Sequence, residues 1–115
     1  MKITIYQKPT CTTCRKVYNA LKESGVDFDA VNYYIEPISK SKLKDILHKM
    51  GISAAGLLRT KEPKYKELKL TGRKLSEDEI IDLMMKYPDL IQRPIVEKGE
   101  KAILARPAER IKEIL

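Results

Sequence analysis

Two cysteines, Cys11 and Cys14, carry the side chains best suited to chemistry in this chain, with only Thr12 and Thr13 between them. They follow an apolar run, Ile3-Thr4-Ile5-Tyr6, and a loop, Gln7-Lys8-Pro9-Thr10, and a helical pattern begins at Thr12. This placement sets the first sulfur at a helix N-terminus. Free backbone N–H groups and the helix dipole favour an anion there, so Cys11 is expected to ionise more readily than a free thiol. Cys14, one turn further on, is close enough to close a disulfide or resolve a mixed one. A structural zinc site would need two more thiolate or imidazole ligands, and the chain has only two Cys and one His. A structural disulfide at this spacing would staple very little loop. The pair therefore reads as a redox-active dithiol.

The elements around the cysteines alternate strand and helix. Val17, Ala20 and Leu21 recur at helical spacing and the helix is expected to stop near Ser24-Gly25, where glycine suits a left-handed cap. Residues 26–33 read as a second strand, parallel to the first because a helical crossover joins them. Ser39 caps a helix through Met50, with Leu43, Ile46, Leu47 and Met50 as its apolar stripe. His48 lies off the centre of that stripe and reads as partly exposed and inert. Residues 51–75 suggest short helices and loops. Ser76-Glu77-Asp78-Glu79 is a capping box opening a helix to about Tyr87, with Ile80, Leu83 and Met84 inward. Ile95-Val96-Glu97 and Ala102-Ile103-Leu104 flank Lys98-Gly99-Glu100-Lys101 as a hairpin. Pro107 suits the first turn of a closing helix that packs Ile111, Ile114 and Leu115 inward.

The order β-α-β, helical segment, β-β-α is that of a thioredoxin-like α/β fold. It predicts a mixed four-stranded sheet flanked by helices, in a single domain over residues 1–115, with a helical insertion at about 38–90 before the C-terminal hairpin. In that fold a cis-proline precedes the third strand beside the active thiol, and Pro94 holds the matching place.

Composition narrows the function. The net charge of +7 could attract nucleic acid, an acidic protein or a small oxyanion. The lysines, however, are scattered among Glu and Asp, and the aromatic residues form no stacking platform, so no direct nucleic-acid binding is expected. No apolar run reaches the length of a membrane span and no signal peptide is read, so a reducing cytoplasm is the expected home.

Four short motifs, in order, resemble the arsenate reductase (ArsC) and Spx-like family over nearly the whole chain. They are Ile3-Thr4-Ile5-Tyr6 with Pro9-X-Cys11 and Arg15, then Leu57-Leu58-Arg59, Gln92-Arg93-Pro94-Ile95-Val96, and Ala105-Arg106-Pro107. The resemblance implies that Cys11 is the nucleophile and that Arg59, Arg93 and Arg106 surround an oxyanion and the thiolate. Planar guanidinium forks suit a multiply charged tetrahedral anion better than lysine does, and the same cations depress a thiol pKa. Arg15 and Pro94 support the site.

The sequence departs from single-cysteine arsenate reductases in two places. They have serine where Cys14 stands, and a histidine just upstream of the nucleophile where this chain has Gln7. The Cys-X-X-Cys resembles Spx, a thiol-switch regulator that binds RNA polymerase, and Gly51 falls where Spx has a glycine at its polymerase contact. Ala105-Arg106-Pro107 follows the reductase pattern, and the longer basic extension of Spx is not seen after Leu115. The expected function is a thiol-dependent oxidoreductase acting on a small oxyanion or disulfide. It would use no bound cofactor or metal, and external glutathione, glutaredoxin or thioredoxin as reductant. The alternative is a redox-sensing regulator that contacts the RNA polymerase alpha subunit.

Overall fold

The computed structural model describes residues 2–115, which divide into two compact units. One comprises residues up to Pro37 together with Arg93–Leu115, the other Ile38–Gln92.

The first unit is built on a four-stranded sheet of order β2-β1-β3-β4, with β1 (Ile3–Gln7), β2 (Phe28–Asn32), β3 (Ile95–Lys98) and β4 (Lys101–Leu104). β1 pairs in parallel with β2 and antiparallel with β3, which pairs antiparallel with β4, giving the mixed thioredoxin-like sheet. Alternation in β1 sends Ile3 and Ile5 to one face, where they meet Val17 and Leu21 of α1 (Thr12–Ser24). Val96, Ala105, Ile111 and Ile114 complete this core. Gly25, at φ +75, ends α1 in the left-handed region that a side chain would strain. β2 stops at Asn32 because the chain turns there: the Asn32 carbonyl accepts from Ile35 and Glu36, and its Oδ1 accepts from the Tyr34 N–H. The expected strand over residues 26–33 is thus shorter at both ends.

The closing segment differs from expectation. Ala108–Glu113 is a 3-10 helix capped by Pro107, not an α-helix containing it. A three-residue period stacks Ile111 and Ile114 on one face and buries both. The same period turns Leu115 outward, 48% exposed.

The second unit holds α2 (Lys40–Met50), α3 (Ala54–Leu57), α4 (Pro63–Glu67) and α5 (Glu77–Lys86), with α5 packed on α2 and α3. Ser39 Oγ accepts from Lys42 N–H at 3.1 Å, and Ser76 and Glu79 form the reciprocal capping box. Ile80, Ile81 and Met84 are the buried face of α5, while Leu83 is only half-buried, as is Met50 on α2. Lys40 reaches Asp82 at 3.1 Å and Lys44 reaches Asp78 at 3.2 Å between α2 and α5. The C-terminal end of this unit is tied to the end of α3 and the residues after it, by Gln92 N–H to the Leu57 carbonyl at 3.0 Å and Arg59 N–H to the Leu90 carbonyl at 2.7 Å. No helix among the described residues is long and apolar enough to cross a membrane.

Candidate active site

Cys11 is the N-cap of α1, at φ −77 and ψ 127, and its Sγ accepts from the Cys14 backbone N–H at 3.5 Å. The loop before it is closed by Cys11 N–H donating to the Lys8 carbonyl at 2.9 Å. Cys11 is half-buried and Cys14 fully buried, both as free thiols. Partial burial works to raise the Cys11 pKa. The Cys14 backbone N–H, the Cys14 thiol and the Arg93 guanidinium outweigh it and bring Cys11 down to about 7. Burial pushes Cys14 up to about 12, and the Cys11 thiolate beside it adds to the rise. The two thiols thus differ in how readily they ionise, Cys11 below and Cys14 above the usual thiol value.

Arg93 is only 7% exposed. Its Nη1 donates to the Tyr34 hydroxyl at 3.2 Å, while its Nε is buried without a hydrogen-bond partner. Burial opposes the charge on Arg93, but Tyr33, Tyr34 and Cys11 raise its pKa on balance. The Tyr33 and Tyr34 rings stack at 5.1 Å, and Lys8 Nζ lies 4.9 Å from the Tyr34 ring centre. Burial pushes the Tyr33 hydroxyl up to about 12, against the pull of Arg93.

The Arg93–Pro94 peptide is cis, and the Pro94 carbonyl accepts from Ala105 N–H at 3.0 Å. Arg106, also followed by a cis-proline, is exposed and donates from Nη1 to the Arg93 carbonyl at 3.4 Å. Cys11, Cys14, Arg93, Pro94 and Arg106 thus belong to one unit, with Arg93 against Cys11 and Arg106 against the Arg93 backbone. Arg15 stands on the exposed face of α1. Arg59 belongs to the second unit, where its Nη1 lies 3.4 Å from Glu62 Oε2 without hydrogen-bond geometry. His48 is exposed on α2. Gly51 caps α2 at φ +69, a conformational reason for glycine there.

A profile of the ArsC family matches residues 6–114. The chain belongs to the ArsC family. Among its relatives, an arsenate reductase of Neisseria meningitidis is 37% identical over 99% of this chain and 98% of its own. The Escherichia coli protein YfgD is 41% identical over 99% of this chain and 97% of its own. A solved arsenate reductase from Vibrio cholerae superposes with a TM-score of 0.93 at 34% identity, covering 100% of this chain and 98% of that one.

Within this ArsC domain the sequence reading overlooked Tyr33 and Tyr34, which brace Arg93. Their signal was position: they follow the carboxyl end of a strand parallel to the one that delivers Cys11, where open α/β sheets place their ligands. Among the described residues no cluster of His, Cys, Asp and Glu is arranged to hold a metal.

Proposed function

We propose that this protein is a thiol-dependent oxidoreductase of the arsenate reductase type, with Cys11 as nucleophile, Cys14 as resolving thiol and arginines holding the oxyanion. One observation carries the reading. Cys11, brought down to about 7, sits against a buried arginine with an unsatisfied donor and has a second thiol one turn away.

The Cys11 thiolate attacks As(V) and displaces one oxygen as hydroxide, forming an S–As bond. Arg93 and Arg106 balance the anion's charge through hydrogen-bond donors. Forming the adduct removes the Cys11 negative charge, and with it part of what raises the Cys14 pKa. Cys14, as thiolate, then attacks Cys11 Sγ. The S–As bond breaks, its electron pair leaves with arsenic as arsenite, and a Cys11–Cys14 disulfide remains. Two equivalents of an external thiol, or one dithiol such as thioredoxin, return the pair to thiols. Arg59 enters as a third anion ligand on the family resemblance alone. No observation favours the polymerase-binding regulator.

The test is arsenate reduction by the purified chain, with thioredoxin, glutaredoxin and glutathione supplied separately. Turnover that is lost in Cys11→Ser supports the proposal. No arsenite with any of the three reductants overturns it.

A further inference from the structure

Attack of Cys11 on arsenate expels an oxygen, which leaves more readily as water than as hydroxide. A group beside Cys11 has to supply the proton. Arginines do not, because a guanidinium stays charged throughout. Gln7 carries an amide, which has no acidic proton. Cys14 and Tyr33 are both fully buried, and burial pushes each up to about 12. Lys8 holds its ammonium over the face of the Tyr34 ring, 4.9 Å from the ring centre. Tyr34, unlike Tyr33, is only half-buried.

The Tyr34 hydroxyl oxygen accepts from Arg93 Nη1 at 3.2 Å. A guanidinium has no acceptor, so the Tyr34 O–H bond points away from Arg93. The same guanidinium stands against Cys11 and favours its thiolate. The nucleophilic sulfur and the phenol oxygen therefore flank one cation, and an oxyanion held by Arg93 over Cys11 meets that hydroxyl. The ring is fixed in place by stacking on Tyr33 at 5.1 Å and by Tyr34 N–H donating to Asn32 Oδ1 at 3.1 Å. Two cations face the phenol, Arg93 at its oxygen and Lys8 over its ring, and both oppose the cost of a negative charge there.

We propose that Tyr34 is the general acid of the reaction, giving its hydroxyl proton to the arsenate oxygen that departs. The assignment rests on the arsenate reductase reading and deepens its first step. The Cys11 electron pair forms the S–As bond and the As–O bond breaks. The departing hydroxyl takes the Tyr34 proton and leaves as water, and Tyr34 becomes a phenolate. The Cys11 charge passes into a covalent bond in that same step, so the Arg93 cation that balanced the thiolate now balances the phenolate. Tyr34 regains its proton from solvent. No electrons reach arsenic until Cys14 attacks Cys11 Sγ.

The experiment compares the native chain with Tyr34→Phe, which keeps the ring and its stacking on Tyr33, in a single turnover without external reductant. Each reduced full chain is mixed with saturating arsenate, and arsenite release and the loss of two hydrogens are timed. Tyr34→Phe should slow both by about 100-fold or more. Both chains are then mixed with dithiobis-nitrobenzoate, whose nitrothiophenolate leaves without a proton. At a pH above the Cys11 midpoint of either chain, release of nitrothiophenolate should differ by less than about threefold, since thiolate attack on a disulfide requires no acid. Equal slowing with both reagents would make Tyr34 a brace for Arg93 alone and overturn the proposal. An arsenate rate unchanged in Tyr34→Phe would overturn it as well and leave the reductase reading standing. A native chain that releases no arsenite sinks that reading and the general acid together.

Discussion

Arg93 Nη1 donates to the Tyr34 hydroxyl at 3.2 Å, joining residues 59 positions apart in the chain. Tyr34 is itself fixed by stacking on Tyr33, by Lys8 over its ring and by its N–H on Asn32. A long, flexible guanidinium is thereby held against the Cys11 sulfur before any substrate arrives. Holding it in advance matters because the ordering entropy of the side chain is then not charged to the reaction step.

Cys11 should alkylate with a midpoint near pH 7, and Cys14 should stay silent to about pH 12. Iodoacetamide labelling across a pH series, read by mass spectrometry, checks this. Cys11→Ser should leave the chain almost unreactive at neutral pH. Faster labelling at Cys14 would exchange the two roles.

Arg93→Ala should move the Cys11 midpoint upward toward the free-thiol value, because a cation and a hydrogen bond to the thiolate are lost. A charge-assisted hydrogen bond is worth about 1.5–3 kcal/mol, so oxyanion affinity should fall about 10–100-fold. Tyr34→Phe keeps the ring and loses only the hydroxyl, and should shift the midpoint the same way by less. Calorimetric titration with arsenate or sulfate, alongside the labelling series, measures both.

Cys14→Ser should stall the cycle at a Cys11 adduct, since no neighbouring thiol remains to attack it at high effective concentration. Intact mass after mild diamide treatment should show the native chain losing two hydrogens. A native chain that instead gains glutathione at Cys11, and never loses two hydrogens, points to single-cysteine chemistry.

The two thiols tilt stability in opposite directions with pH. Cys14 rises from 9.0 to about 12 on folding, so its contribution is full below pH 9 and is lost as pH climbs toward 12. Cys11 falls from 9.0 to about 7, so its contribution is full above pH 9 and is lost as pH drops through 7. In urea denaturation the stability margin of the native chain over Cys14→Ala should therefore be smaller at about pH 10 than at about pH 8.

Leu21→Ala should cost about 2–5 kcal/mol, because Leu21 is fully buried in the core beneath the sheet. Ser76→Ala should cost about 1 kcal/mol through the lost cap of α5. Both values are read from equilibrium unfolding.

Local chemistry was legible in the sequence where a short-range rule governs it. The Cys-X-X-Cys at a strand-to-helix turn, glycine at the end of α1, Ser39 and the Ser76 box each act within one helical turn, so spacing alone placed them. The hairpin was legible for the same reason: Gly99 takes φ +59 in its two-residue turn. The family's order of motifs placed Arg93 and Arg106 next to prolines, but not what each arginine touches. Tertiary structure decided that Tyr34 braces Arg93, that Ile81 rather than Leu83 faces the core, and that a 3-10 period turns Leu115 to solvent. It also decided that Gln7, at the end of β1, is largely buried and lines an open groove beside α1. Each of these depends on which neighbour arrives from a distant part of the chain. Burial and hydrogen-bond satisfaction belong to the assembled surfaces, and no window of sequence contains both sides of such a contact.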